Sequence, residues 1–192
     1  MKLDRKIGRS FVIVLAIVTL ISFSHIRGSD NNEFPIVTNP SDQSDPAIYD
    51  DIVVWEDDRN GWLNSDIYGY NLSIKREFQI TTFPSLRREP AIYENIIVWE
   101  DLRNGNDDIY GYDLSTKREF QITTDMKDQN HPAIYENIVV WDDKRYAKPI
   151  EYNLFDYNTD IYGYDLSTEQ EFQITIDPKL QRHPAVHGDI VV

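Results

Sequence analysis

Most of this chain is one pattern written three times, and that repetition constrains the fold more than any other feature. Pro46, Pro90, Pro132 and Pro184, each followed by alanine, stand 44, 42 and 52 residues apart. Other columns keep the same frame: Trp55, Trp99 and Trp141; Gly69, Gly111 and Gly163; Phe78, Phe120 and Phe172; Ile80, Ile122 and Ile174. The third copy is longer because of an insertion over Tyr146 to Asn158, rich in Tyr, Pro and Asn, which leaves the frame intact. A period of about 40 to 50 residues leaves two architectures, paired-helix solenoids or four-stranded propeller blades.

Strand chemistry chooses between them. In the second copy, Pro90–Tyr93 and Asn95–Glu100 are short extended runs, the latter carrying Ile96, Ile97, Val98 and Trp99. Asp108–Leu114 alternates Tyr110, Tyr112 and Leu114 with Ile109, Gly111 and Asp113, and Arg118–Thr123 sets Phe120 and Ile122 against Glu119, Gln121 and Thr123. Alternation with period two and enrichment in β-branched and aromatic residues specify strands. Glu94-Asn95, Arg103-Asn104-Gly105-Asn106 and Leu114-Ser115-Thr116-Lys117 supply the turns between them. The expected class is all-β: antiparallel four-stranded blades, repeating over 45–88, 89–130 and 131–182, with a partial blade over 183–192.

Composition bears on partners and location. Nineteen basic against 33 acidic residues leave a net charge of −14, which opposes nucleic-acid binding because affinity for phosphates comes from Lys and Arg. The absence of cysteine excludes disulfides, thiolate metal sites and a cysteine nucleophile. Lys2, Arg5, Lys6 and Arg9 form a basic head before Phe11 to Phe23, 13 residues without a charge. That length suits the apolar region of an export signal better than a membrane-spanning helix, which wants about 20 residues. Residues 1–27 therefore read as a signal peptide, with Ser22 and Ser24 before a cut ahead of His25, or as an uncleaved N-terminal membrane anchor. Residues 28–33 are a polar linker, and the rest of the chain is expected to be secreted or at the cell surface.

A Pro-Ala strand, an apolar strand ending in Trp-(Glu/Asp)-Asp, an Arg-Asn-Gly turn, an Asp-Ile-Tyr-Gly-Tyr strand and a closing Gln-Ile-Thr recur in that order. This order resembles TolB-like β-propeller repeats, in the version common among secreted and cell-surface proteins of archaea, and the resemblance covers residues 34–192. It implies fold more than activity, since one propeller scaffold hosts many functions. TolB itself carries an α/β domain before its propeller, where only a linker intervenes here. Phe34-Pro35-Ile36-Val37-Thr38 aligns with Phe78-Gln79-Ile80-Thr81-Thr82, so it is expected to be a fourth strand donated to another blade. With the chain stopping at Val192, three complete blades plus partial ones read as the N-terminal portion of a larger, six-bladed propeller. Open blade edges would then favour self-association.

No Gly-x-Ser-x-Gly, Gly-rich phosphate loop or His-Glu-x-x-His motif occurs. The acidic hairpins around Glu56-Asp57-Asp58-Arg59 and Glu100-Asp101-Leu102-Arg103 admit calcium as a ligand, but the recurring Arg59, Arg103 and Arg145 favour pairing with a neighbouring Asp. Mid-strand Gly69, Gly111 and Gly163 imply the close approach of something large, with Trp55, Trp99 and Trp141 of adjacent blades as the expected neighbours. A sugar platform of Tyr68, Tyr70, Tyr110 and Tyr112 is the alternative use of that region. The column before the repeating proline holds Asp45, Glu89, His131 and His183, which first strands would aim at a common axis. Two imidazoles and two carboxylates suit zinc, manganese or iron. The bland reading is that these residues cap strand starts. TolB-like propellers include metal-dependent oligogalacturonate lyases that hold a metal with histidines near the channel, a precedent by resemblance whose motif is not matched residue by residue. Asn71-Leu72-Ser73 is a glycosylation sequon beside a turn.

The function these features favour is a noncatalytic extracytoplasmic module that binds a protein or glycan through its propeller face. A metal-dependent polysaccharide lyase or hydrolase is the second reading, and a truncated product without independent function the third. No nucleic acid is expected as a partner, and membrane contact only through the N-terminal segment.

Overall fold

The computed structural model describes residues 33–147, 149–150 and 153–192. The segment 1–27 and all of the linker except Glu33 lie outside the described residues. Three four-stranded antiparallel sheets follow one another along the chain. Blade 1 is β1 (Gln43–Tyr49), β2 (Ile52–Asp57), β3 (Asp66–Asn71) and β4 (Arg76–Gln79). Blade 2 is β5 (Arg87–Tyr93), β6 (Ile96–Asp101), β7 (Asp108–Asp113) and β8 (Arg118–Gln121). In the third copy, β9 (Gln129–Tyr135) and β10 (Ile138–Asp143) pair with β13 (Asp160–Asp165) and β14 (Gln170–Gln173), and the insertion forms its own ladder, β11 (Pro149–Ile150) with β12 (Asn153–Tyr157). A two-stranded ladder, β15 (Val186–His187) with β16 (Ile190–Val191), begins a fourth unit. No described residue is helical.

The second strands read Ile-Val-Val-Trp or Ile-Ile-Val-Trp because both of their faces are covered. Val54, Ile67 and Ile80 of blade 1 pack against Ile97, Trp99 and Tyr110 of blade 2. Val98, Ile109 and Ile122 of blade 2 meet Val139, Trp141 and Tyr162 of blade 3 in the same way. Phe34–Thr38 departs from the expected strand. It joins no sheet, because no third strand stands beside it among the described residues, yet Ile36 and Val37 are buried on Val53, Trp55, Tyr68 and Tyr70. Its side chains thus keep the packing role of a preceding blade while its backbone has no ladder to enter.

The mid-strand glycines also correct the expectation. Their large neighbour belongs to the same blade: Gly69 pairs with Phe78, Gly111 with Phe120 and Gly163 with Phe172 across the third and fourth strands. A Cβ added at Gly111 would lie 2.5 Å from Phe120 Cζ, so the ring lies across the bare backbone. Cross-strand aromatic cover of a glycine recovers packing that glycine by itself forfeits. The tryptophans serve elsewhere, in the cores between blades.

Polar side chains tie each blade at its loop end. Trp55 Nε1 donates to Asp57 Oδ2 at 3.0 Å, and Arg59 grips the same carboxylate while reaching Glu77 Oε1 at 2.7 Å. Trp99–Asp101–Arg103–Glu119 and Trp141–Asp143–Arg145–Glu171 repeat the arrangement. Burial pushes the Asp57 and Asp101 carboxyls up, but hydrogen bonds from the neighbouring Arg and Trp outweigh it and hold both below the usual carboxylate range. The Asp-Ile-Tyr and Gln-Ile-Thr motifs meet as well, since Thr81 Oγ1 donates to Asp66 Oδ1 and accepts from the Ile67 N–H.

One charged bolt joins blades 1 and 2, and among the described residues no arginine takes its place at the next seam. The fully buried Arg87 donates from Nε to Asp101 and from Nη1 to Asp66, both at 2.9 Å. Gln129 holds the equivalent place in blade 3, and its buried Oε1 has no hydrogen-bond partner.

Two measurements of unfolding free energy check this picture. Arg87→Ala, which takes a charged donor from two buried carboxylates that keep other partners, is expected to cost about 3 kcal/mol, and Arg87→Gln clearly less. Gly111→Ala, which drives Phe120 from its seat, is expected to cost about 1–2 kcal/mol in denaturant titration.

Candidate functional site

The first strands β1, β5 and β9 lie side by side, with β15 next to β9. Each of the three carries a bulge near its start: Arg88 pairs with Glu100 and Ala91 with Val98, leaving Glu89 and Pro90 opposite Trp99 alone. The residue before the proline adopts a left-handed backbone in every copy, with φ of 49° at Asp45, 52° at Glu89, 54° at His131 and 53° at His183. Few non-glycine residues adopt this region, and a following proline favours extended backbone instead. Bulges of this kind re-aim side chains. The bulge also explains why the first strands reach beyond their prolines: it takes the proline out of the ladder, and pairing resumes before it.

The structure brings together two of the four residues expected as ligands, Glu89 and His131, and adds Glu100. One ligand atom from each of these three lies within 4.8 Å of the others. His131 Nε2 is 3.6 Å from Glu89 Oε1, and the His131 N–H donates to Glu100 Oε1 at 2.7 Å. His131 Nδ1 sits 2.6 Å from Asp142 Oδ1, and Arg88 Nη2 stands 3.3 Å from Glu100 Oε2. His183 flanks the group, its ring centroid 3.7 Å from that of His131 and its N–H on Asp142 Oδ1 at 3.2 Å. Asp45 is exposed and adds negative charge near Glu56 and Glu89.

Glu56, Glu100 and Asp142 form a second acidic column, of which sequence reasoning named Glu56 and Glu100 and placed them in the hairpins. Its signal was present, because each follows the repeating tryptophan. What was missing was the register, which sets Glu100 across from Arg88 beside the bulge.

Electrostatics follow from this crowding. Burial, then Asp45 and Asp58, push Glu56 up to about 7, and burial carries Glu100 to about 7 as well. Burial also raises Glu89, against the pull of His131. The hydrogen bond to Asp142 raises His131 in spite of burial.

The remaining candidates fall elsewhere. Tyr68, Tyr70 and Tyr110 are buried, with Arg59 over the Tyr68 ring at 3.8 Å and Arg103 over Tyr110 at 4.1 Å, and Tyr112 is half-buried against the core between blades 1 and 2, so these rings are packing elements and not an open sugar platform. Asn71 ends β3 half-buried, its Oδ1 accepting the Ile74 N–H, beside an exposed Ser73. At the far end of the first strands, Tyr49, Tyr93, Tyr135 and His187 form a file of rings with successive centroids 4.7, 4.8 and 4.6 Å apart.

Comparison with known proteins locates the fold. TolB from Acinetobacter baumannii superposes with a TM-score of 0.61 at 18% identity, over 79% of this chain and 36% of that one. An acylaminoacyl peptidase gives 0.56 at 14% identity, over 79% and 27%. The β-propeller domain of the Trilobed protease from Pyrococcus furiosus gives 0.50 at 15%, over 70% and 43%. The chain thus has a TolB-like β-propeller fold and spans less than half the length of each of these three. No protein-family model matches it, and no curated protein does.

The charge at Glu56 has a pH signature. Its folded pKa lies above the unfolded value, so the folded state holds the extra proton and stability falls as pH rises toward and through about 7. Asp45, Asp58, Arg88 and Ser44 are the groups that act on it. Glu56→Gln is expected to raise the melting temperature by a few degrees at pH 8 and to change it little at pH 4, as followed by circular dichroism.

Proposed function

We propose that this chain is a noncatalytic binding module that works outside the cytoplasm, secreted or held at the cell surface, and that it engages a protein or glycan through the loop-bearing face of its blades. The distribution of exposed apolar side chains carries the reading. Antiparallel order puts the β2–β3 and β4–β5 loops, and their counterparts in the other blades, at one end of the sheets. Trp62, Leu63, Phe83, Met126 and Tyr146 all stand exposed at that end, Trp62 at 72% and Met126 at 89%. A cleft of about 370 Å³ opens there between Gly105–Asn106, Met126–Asp128 and Lys144. The first turns at the opposite end are built from Asp50-Asp51, Glu94-Asn95 and Glu136-Asn137. Exposed aromatic and methionine side chains gathered on one face are the mark of a recognition surface.

Location rests on the basic head and the 13 uncharged residues after it. The net charge of −14 favours a neutral or basic partner over a polyanionic one. A metal-dependent lyase or hydrolase is the second reading, and the grouping of Glu89, Glu100 and His131 favours it. Asn71 remains a proposed glycan acceptor.

Binding to envelope proteins and to neutral glycans of the native host, measured by biolayer interferometry, separates the readings. The chain is expected to bind, and Trp62→Ser/Met126→Ser/Tyr146→Ser to lose about tenfold or more in affinity at an unchanged melting temperature. Undiminished binding by that variant would overturn the assignment of the face. Depolymerisation of a polysaccharide by the intact chain would overturn the noncatalytic reading in favour of the lyase.

A further inference from the structure

We propose that Glu89, Glu100 and His131 form a site for one divalent transition-metal ion, zinc or manganese, with Asp142 as the residue that positions His131. The site joins blades 2 and 3, and it stands whichever partner the loop face takes.

Three observations converge on it. The first is spacing. Ligands about 2.0–2.2 Å from a tetrahedral ion lie roughly 3.3–3.6 Å from one another. His131 Nε2 and Glu89 Oε1 are already 3.6 Å apart, and the whole trio closes within 4.8 Å. Both side chains are half-buried, which leaves them the small freedom needed to close on an ion.

The second is the hydrogen-bonding of the imidazole. Nδ1 lies 2.6 Å from Asp142 Oδ1, which leaves Nε2 facing the Glu89 carboxylate. A divalent ion lodged between them would bind the deprotonated Nε2 and the carboxylate together. A carboxylate on the distal nitrogen of a ligating histidine is the usual outer support of such a site, fixing the tautomer and the ring.

The third is the way the donors are held. Glu100 is buried and fixed by Arg88 and by the His131 N–H. Glu89 and His131 each occupy a left-handed bulge locked by the next proline, Pro90 and Pro132. Donor chemistry selects the ion: an imidazole with two carboxylates suits zinc or manganese, whereas calcium and magnesium prefer oxygen alone. The blade 1–2 seam has Asp45, Glu56 and Glu89 at the equivalent positions and no histidine, so it lacks the imidazole donor.

This assignment differs from a four-member ring of pre-proline residues. Asp45 lies outside the cluster, and His183 packs its ring on that of His131.

Calorimetric titration of the full chain, cleared of metal with a chelator, tests it with zinc, manganese and calcium salts. One zinc or manganese ion per chain is expected to bind, with calcium much weaker. Glu89→Gln and His131→Gln are each expected to lower affinity about tenfold or more, and Asp142→Asn to weaken it and Asp142→Glu to restore it. Asp45→Asn and His183→Ala should leave affinity within about twofold. Melting curves of each metal-free variant establish that it is folded, and the half-buried Glu89 carries the test if His131→Gln does not fold. No zinc or manganese binding, calcium binding of equal strength, binding that survives Glu89→Gln and His131→Gln, or an equal loss in His183→Ala would each overturn the proposal.

Discussion

A buried carboxylate at the end of each blade's second strand is the constraint around which the rest is arranged. Asp57, Asp101 and Asp143 are almost completely withdrawn from water, where an unpaired charge would be ruinous. Tryptophan two residues earlier and arginine two residues later answer it from the same segment. The arginine then spans the blade, lying over the third-strand tyrosine and ending on a fourth-strand glutamate. One charge thereby draws strands two, three and four together, and the loop between the second and third strands can vary without loosening the sheet. The insertion in the third copy enters just after this clamp, and the strands around it keep their pairing.

The blades were legible because each repeat writes its hydrogen bonding and packing into fixed columns. Period-two alternation located the strands of the second copy to within a few residues, and the recurring arginines disclosed their aspartate partners. The neighbour of the mid-strand glycine was misread for a physical reason. A glycine that tolerates close approach can be met from the next blade or from the next strand, and only cross-strand register tells which. The register was latent in the equal spacing of Gly69–Phe78, Gly111–Phe120 and Gly163–Phe172. Phe34–Thr38 shows the converse, since its apolar side chains were read correctly but a strand also needs a partner for its backbone.

The candidate site divides along the same line. Equivalence by rotation treated the four pre-proline positions as alike when their second-strand neighbours differ, and only Glu89 and His131 come together with Glu100. Glu100 enters because a bulge turns Glu89 toward it, and a bulge is a property of two strands that no single column reveals. Strain points to the same place. Four consecutive repeats hold a non-glycine residue in a left-handed conformation ahead of proline, where glycine would serve the backbone more cheaply. What sits there is Asp, Glu, His and His, so side-chain chemistry has been kept at the expense of backbone ease.

The unequal seams give the arc a direction. Arg87 rivets blade 1 to blade 2 through two carboxylates, while Gln129 leaves the joint between blades 2 and 3 with an orphaned oxygen. In a linear array each unit is supported only by its neighbours, so opening starts where the coupling is weakest. Blades 1 and 2 share a buried charged link, whereas blades 2 and 3 are joined by the Gln129 N–H on Asp107 O, by Asn130 Nδ2 on Asp107 Oδ2 and by their shared apolar core. The grouping of Glu89 and Glu100 with His131 and Asp142 lies across the joint between blades 2 and 3, so a small ligand held there would tie together the seam that lacks the arginine rivet.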